Sequence, residues 1–206
     1  MISHKHKCIF IHISRTGGST IERLLQGEDQ WNRDPYSKHI TTARAKKLYS
    51  EWWDDYFKFT FVRNPYDRVL SQLHTAGINN YKHLGINTET PFESFLKINK
   101  QNYINKDCVG GTLINNFREV PYEGCIYRSI LAEGVDKVYK YENYEESVRD
   151  LLEELNVGRS KDAPIPVYNA SKIKHDRKDL KPEDYEMINE LYDLDFEEYD
   201  YKKVWK

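Results

Sequence analysis

Three features of the sequence predict an α/β domain with three layers, a mainly parallel central sheet flanked by helices. The nearly continuous apolar run at 8–13 (CIFIHI) has the character of a buried strand, 57–62 (FKFTFV) alternates like a strand, and 135–143 (VDKVYKYEN) reads as another. A segment with helical spacing follows each run, and such alternation gives parallel strands covered by helices on both faces. At 206 residues the chain can build one sizeable core, so a single domain over 1–206 is expected.

The first run breaks at Ser14-Arg15-Thr16-Gly17-Gly18-Ser19-Thr20. It resumes as a helix near Ser19, where Ile21, Leu24 and Leu25 fall on one face. Residues 41–53 (TTARAKKLYSEWW) read as a second helix. After the strand at 57–62, Asn64 is placed as a cap and Pro65 opens a helix buried through Val69, Leu70 and Leu73. The Asn-, Tyr- and Gly-rich stretch 78–125 yields only a short helix at PFESFLKI. The strand at 135–143 leads into a helix carrying Val148, Leu151, Leu152 and Leu155 on one face. Pro182, with Glu183 and Asp184 in the first turn, opens a last long helix. No repeat, low-complexity block or linker interrupts this order.

Composition narrows the partners. Lys+Arg 31 against Asp+Glu 33 leaves the chain near neutral, which argues against bulk attraction to nucleic acid or an anionic membrane. Mean hydropathy is -0.81, and no run approaches the ~20 apolar residues of a membrane span. The start, MISHKHKCIF, has neither a signal-peptide core nor a cleavage site. Three cysteines, Cys8, Cys108 and Cys125, form no close pair, which fits a reducing cytoplasm. His4, His6 and Cys8 would share one strand face; a polar start leading to a buried cysteine explains them better than a metal clip. The expectation is a cytoplasmic protein with no metal.

Chemistry concentrates in two strand-to-helix loops. The first presents backbone N–H groups at a helix N-terminus, where an anion is favoured. Gly17 and Gly18 permit positive φ and close backbone approach; Thr16, Ser19 and Thr20 add hydroxyls and Arg15 a fixed charge. The Walker A pattern places lysine after its glycines, whereas here the cation precedes them. That disfavours a metal-dependent nucleotide triphosphatase. A glycine turn with no ligand is the plain alternative. In the second loop, FVRNPYDRVLS, Arg63 ends a strand and Ser71 lies about two turns along the next helix. Arg63 can fork onto a second anion with Ser71 facing it; alternatively, Arg63 could salt-bridge Asp67. Together, two anion sites at two strand ends suggest a ligand with two separated phosphate-like groups.

The segment IFIHISRTGGSTIE resembles the 5′-phosphosulfate loop of the sulfotransferases, especially the branch with carbohydrate sulfotransferases and small bacterial members. FKFTFVRNPYDRVLS is similar to their 3′-phosphate segment, with arginine and serine at the family's spacing. The tail from YKYENYEESVRDLLEEL to DYEMINELYDLDFEEY resembles that branch's later segments. The likeness spans about residues 8–200 and is poor over 78–130. It implies a P-loop-like form of the three-layer fold and the donor 3′-phosphoadenosine 5′-phosphosulfate (PAPS). By this resemblance Arg15, Thr16, Gly17, Gly18, Ser19 and Thr20 hold the 5′ end, and Arg63 and Ser71 hold the 3′-phosphate. The family usually has lysine at the position of Arg15; arginine keeps the charge but is bulkier and cannot lose its proton.

A base must deprotonate the acceptor hydroxyl. His39, in SKHITTARAKKLY, lies between the loops in the stretch where related sulfotransferases carry theirs, and imidazole suits the task near neutral pH. A helix cap or surface histidine is the other reading of His39. His12 reads as structural, and His74, His83 and His175 are less well placed. Trp31, Tyr36, Trp52 and Trp53 could stack on a base, or sit in the core. Lys172, Lys174 and Arg177 could add phosphate contacts, or form a solvated charge run. The sequence therefore predicts sulfuryl transfer from PAPS to a hydroxyl of a sugar or small molecule. A small-molecule kinase with a degenerate phosphate loop, or a non-catalytic nucleotide-binding module, are the rivals.

Overall fold

In the computed structural model, residues 1–75, 112–115, 118–121, 127–160, 162–168 and 176–206 are described. The PFESFLKI helix, Cys108, Cys125, His83, Lys172, Lys174, His175 and the side chain of His74 lie outside the described residues.

Strand β1 (Ile2–Ser3) turns back antiparallel onto β2 (Cys8–Ile11). Helix α1 (Gly18–Gln26) follows, then the single turn α2 (Gln30–Arg33), a 3-10 turn at Pro35–Ser37, and α3 (Thr42–Leu48). Thr41 caps α3 by accepting from the Arg44 N–H. The helix read over 41–53 stops early, because Tyr49 and Trp53 turn into the core rather than continuing the spiral. Strand β3 (Phe57–Val62) leads into α4 (Pro65–Thr75), with the Asn64 side chain accepting from Tyr66 N at 3.1 Å. A separate antiparallel pair, β4 (Thr112–Asn115) and β5 (Arg118–Pro121), and the short α5 (Tyr127–Ile130) come next. Strand β6 (Lys137–Lys140), α6 (Tyr144–Glu154), α7 (Pro182–Leu191) and α8 (Asp193–Glu198) complete the order. The last long helix of the sequence reading is thus two helices, broken at Tyr192.

The main sheet has the order β1-β2-β3-β6, with β2, β3 and β6 parallel. Period-2 alternation sends its side chains to opposite faces. Phe10, Phe59, Phe61 and Tyr139 pack with Ile21 and Leu25 of α1 and Val148, Leu151 and Leu152 of α6. Ile9, Ile11 and Val62 pack on the other side with Ala45 of α3 and Tyr127 and Ile130 of α5. These are the three predicted layers, a mixed, mostly parallel sheet between helices. A third cluster joins Tyr66, Val69 and Leu70 of α4 to α7 and α8. Because β2 and β3 are parallel neighbours, Ile11 and Val62 end on the same edge. The two anion-type loops therefore leave the sheet side by side.

Candidate active site

The first loop is shaped by two left-handed residues. Arg15 has φ 69° and Gly17 φ 84°. A left-handed conformation costs a non-glycine residue about 1–2 kcal/mol, and such strain collects where a loop must present its backbone. Gly17 has a second reason to be glycine: a Cβ there would lie 2.5 Å from Cε2 of Tyr144, whose hydroxyl donates to the Gly17 carbonyl at 2.7 Å. Among the described residues, no acceptor meets the N–H groups of Thr16, Gly17 and Gly18. They crown α1, where the helix dipole favours an anion.

The loop's hydroxyls divide. Thr16 is buried and its Oγ1 donates to the Ile13 carbonyl at 2.8 Å, closing the turn. Thr20 Oγ1 donates to the Pro166 carbonyl and accepts from Tyr168 N, both at 3.3 Å, which ties the 162–168 segment over α1. Ser19 is partly exposed at the helix start.

The two loops meet. Arg15 Nε donates to Ser71 Oγ at 3.0 Å, and Arg63 Nη1 reaches the Arg15 carbonyl at 3.4 Å. The Arg63 guanidinium lies over the Tyr141 ring, 4.4 Å from its centroid. Its backbone is clamped by Tyr127, whose hydroxyl accepts from Arg63 N at 3.0 Å and donates to Arg63 O at 2.6 Å. Asp67 does not take Arg63. Arg177 pairs with Asp67 at two points, 2.9 and 2.6 Å, so Arg177 is committed there.

His39 sits against the first loop. Its Nδ1 lies 2.9 Å from the His12 carbonyl, which can only accept, so Nδ1 carries the proton. Nε2 is then the basic nitrogen, and it has no partner among the described residues. The His12 ring packs edge-on at 4.4 Å and the half-exposed Trp31 at 5.7 Å. Burial, and then the neighbouring His12, hold the His39 pKa well below the usual imidazole value. His39 precedes α3 by several residues, and Thr41 does the capping, which removes the helix-cap reading.

Of the other aromatic candidates, Trp53 is buried in the core and Trp52 packs beside it, against the His4 ring at 4.7 Å. Tyr36 is exposed. His4 also meets Tyr56 Oη at 3.0 Å. Cys8 is buried in β2, where desolvation pushes its thiol up to about 12. No group of three His, Cys, Asp or Glu among the described residues could hold a metal ion.

Sequence reasoning missed Tyr127, Tyr141 and Tyr144, which brace the two loops. The run YKYENY around 139–144 carried the signal, since aromatics directly after a third parallel strand must lie at the same edge as the loops. It also missed what His12 supports. A Cβ on Gly18 would come within 2.2 Å of the His12 ring, which Glu22 and Phe10 hold in place. Gly18→Ala is therefore expected to displace His12, lowering thermal stability and cutting turnover more than nucleotide affinity. Unchanged stability and kinetics would show that the ring has room to move.

The fold is an α/β domain in which the glycine-containing loop after β2 and the Arg63–Ser71 segment after β3 leave one sheet edge, the edge at which such sheets commonly bind ligands. The chain belongs to the sulfotransferase family, whose pattern matches residues 1–202. The carbohydrate-sulfotransferase-like branch is consistent with this match. No curated protein and no solved structure gives a significant match. As a family member it is a transferase, with a sulfuryl donor and an acceptor as its substrates. Among the described residues, no helix is long and apolar enough to cross a membrane.

Proposed function

We propose that this protein transfers a sulfuryl group from PAPS to a hydroxyl of a sugar or small-molecule acceptor, releasing PAP (3′-phosphoadenosine 5′-phosphate). The observation that carries the reading is the meeting of the two loops, with Arg15 hydrogen-bonded to Ser71 and Arg63 beside the Arg15 carbonyl. Amides at Thr16–Gly18 that meet no acceptor among the described residues, left-handed turns at Arg15 and Gly17, and a guanidinium braced on Tyr141 fit a ligand with two phosphate-like ends. The bound donor would supply an electrophilic sulfuryl group with a phosphate as its leaving group.

The chain's residues then have separable tasks. The loop amides of residues 16–18, with Ser19 and, once its hydroxyl turns from the Pro166 carbonyl, Thr20, hold the 5′ end, and Arg63 and Ser71 hold the 3′-phosphate. His39 Nε2 takes the proton as the acceptor oxygen bonds to sulfur, and Arg15 opposes the charge that develops on the departing phosphate oxygen. One domain over 1–206, working in the cytoplasm without a metal, would contain this chemistry. The shared cluster of α4 with α7 and α8 supports the first point, and the sparse cysteines support the second.

Thermal shift tests the donor site. PAP, carrying both phosphates, is expected to stabilise the protein far more than AMP, and Arg63→Ala should weaken PAP by about 1.5–3 kcal/mol. Equal stabilisation by PAP and AMP would remove Arg63 and Ser71 as a 3′-phosphate site. Mass spectrometry of hydroxylated acceptor mixtures incubated with labelled PAPS then tests transfer. Product formed from ATP and Mg²⁺ instead would make the protein a kinase.

A further inference from the structure

Beneath His39 lies a chain of buried ionisable side chains. His12 Nδ1 meets Glu22 Oε1 at 2.5 Å; Glu22 Oε2 accepts from Lys38 Nζ at 2.7 Å; Lys38 Nζ also donates to Asp29. Glu22 is 0% exposed, Lys38 1%, and His12 and Asp29 4% each. Gln30 N donates to Glu22 Oε2 at 3.0 Å, and Trp31 N to Asp29 Oδ1 at 2.9 Å. Burial disfavours charge on His12; burial also pushes the Glu22 carboxyl up, but the His12 and Lys38 contacts outweigh it and hold that carboxyl at about 2.

Such a network is a poor source of stability. Desolvating ions this deep costs about as much as their pairing returns, and apolar side chains of similar volume often serve a fold as well or better. What the network holds is geometry. Lys38 and His39 are neighbours in the chain. The Lys38 ammonium is tied to Glu22, Glu22 to the His12 ring, and the His12 carbonyl to the His39 ring. The contacts close on themselves: His39, His12, Glu22, Lys38 and back to His39 through one peptide bond.

We propose that Glu22 and Lys38 are positioning residues for His39, a proposal that rests on reading His39 as the base. The closed circuit fixes the 38–39 segment against the end of β2, so that His39 donates Nδ1–H to the His12 carbonyl and keeps Nε2 unprotonated. The opposite tautomer carries its proton on Nε2, where it cannot accept one from a substrate hydroxyl. A misplaced imidazole tautomer is costly to a base, by as much as roughly 10⁴ in turnover. A buried carboxylate and a buried lysine thus act on the reaction through the ring they orient.

The test is the tautomer itself, read on the full-length protein by long-range ¹H–¹⁵N NMR with labelled histidine. The His39 signal is assigned by its loss in His39→Gln, at about pH 8 where imidazole is neutral. Wild type is expected to show Nδ1–H. The triple variant Glu22→Gln/Asp29→Asn/Lys38→Met removes the charge at nearly constant volume. It is expected to shift His39 to a mixture containing Nε2–H, and to lose at least about tenfold in kcat with PAP affinity unchanged. Should that variant fail to fold, Glu22→Asp, which shortens the carboxylate arm and leaves Lys38 paired with Asp29, is expected to shift the same signal. Nε2–H in the wild type, or Nδ1–H retained in the variants, overturns the proposal. A wild-type protein with the expected tautomer but no sulfated product would instead sink the sulfuryl-transfer reading and leave the positioning of His39 standing.

Discussion

Replacing His39 by alanine is expected to lower kcat by roughly 10²–10⁴, the usual worth of a general base. PAP affinity should barely change, because the base meets the acceptor rather than the nucleotide. Thermal stability should change little as well, since Thr41 caps α3 and among the described residues the ring makes one hydrogen bond, to the His12 carbonyl. The pH profile gives an independent check. A base works unprotonated, so the rate is lost as pH falls through the pKa of His39. Burial and the nearby His12 place that pKa well below 6.5. The expected profile is flat through neutrality and falls only on clear acidification. A variant that is destabilised yet keeps the wild-type rate and profile would make His39 structural.

Arg15→Ala is expected to lower kcat by roughly 10²–10³, the range for losing one group that opposes developing charge. The effect on the donor's KM should be smaller, because that charge builds mainly in the transition state. Alanine keeps the strained left-handed backbone of position 15, so the loss would report on the side chain rather than on a relaxed loop. Arg15→Lys should retain or raise turnover: it restores the residue usual at this position and keeps a cation facing Ser71, which Arg15 meets at 3.0 Å. Unchanged kcat in Arg15→Ala would take Arg15 out of the mechanism. Loss of PAP binding alone, with kcat intact, would make it a ligand contact only.

Local sequence determined the elements and the character of the loops. Apolar periodicity placed β2, β3 and β6 and the buried faces of α1, α4 and α6, because burial on one side of a strand or helix imposes its own spacing. Asn64 and Pro65 marked the start of α4, and Gly17 the left-handed turn, because caps and positive φ select particular residues. Partners were another matter. Asp67 looked available to Arg63, four residues away, but it pairs with Arg177, brought over by the packing of α7 on α4. Arg15 meets Ser71 only because β2 and β3 run parallel and end on one edge, and His39 meets His12 because the segment before α3 packs back against the end of β2. Parallel strands are joined by crossovers, so the contacts between their loops are remote in sequence and leave no periodic trace in it. The buried circuit of His12, Glu22, Lys38 and Asp29 was equally hidden. In sequence a lysine and two acids look like solvated surface, and only the enclosure that strips away water turns them into a device that can orient a base.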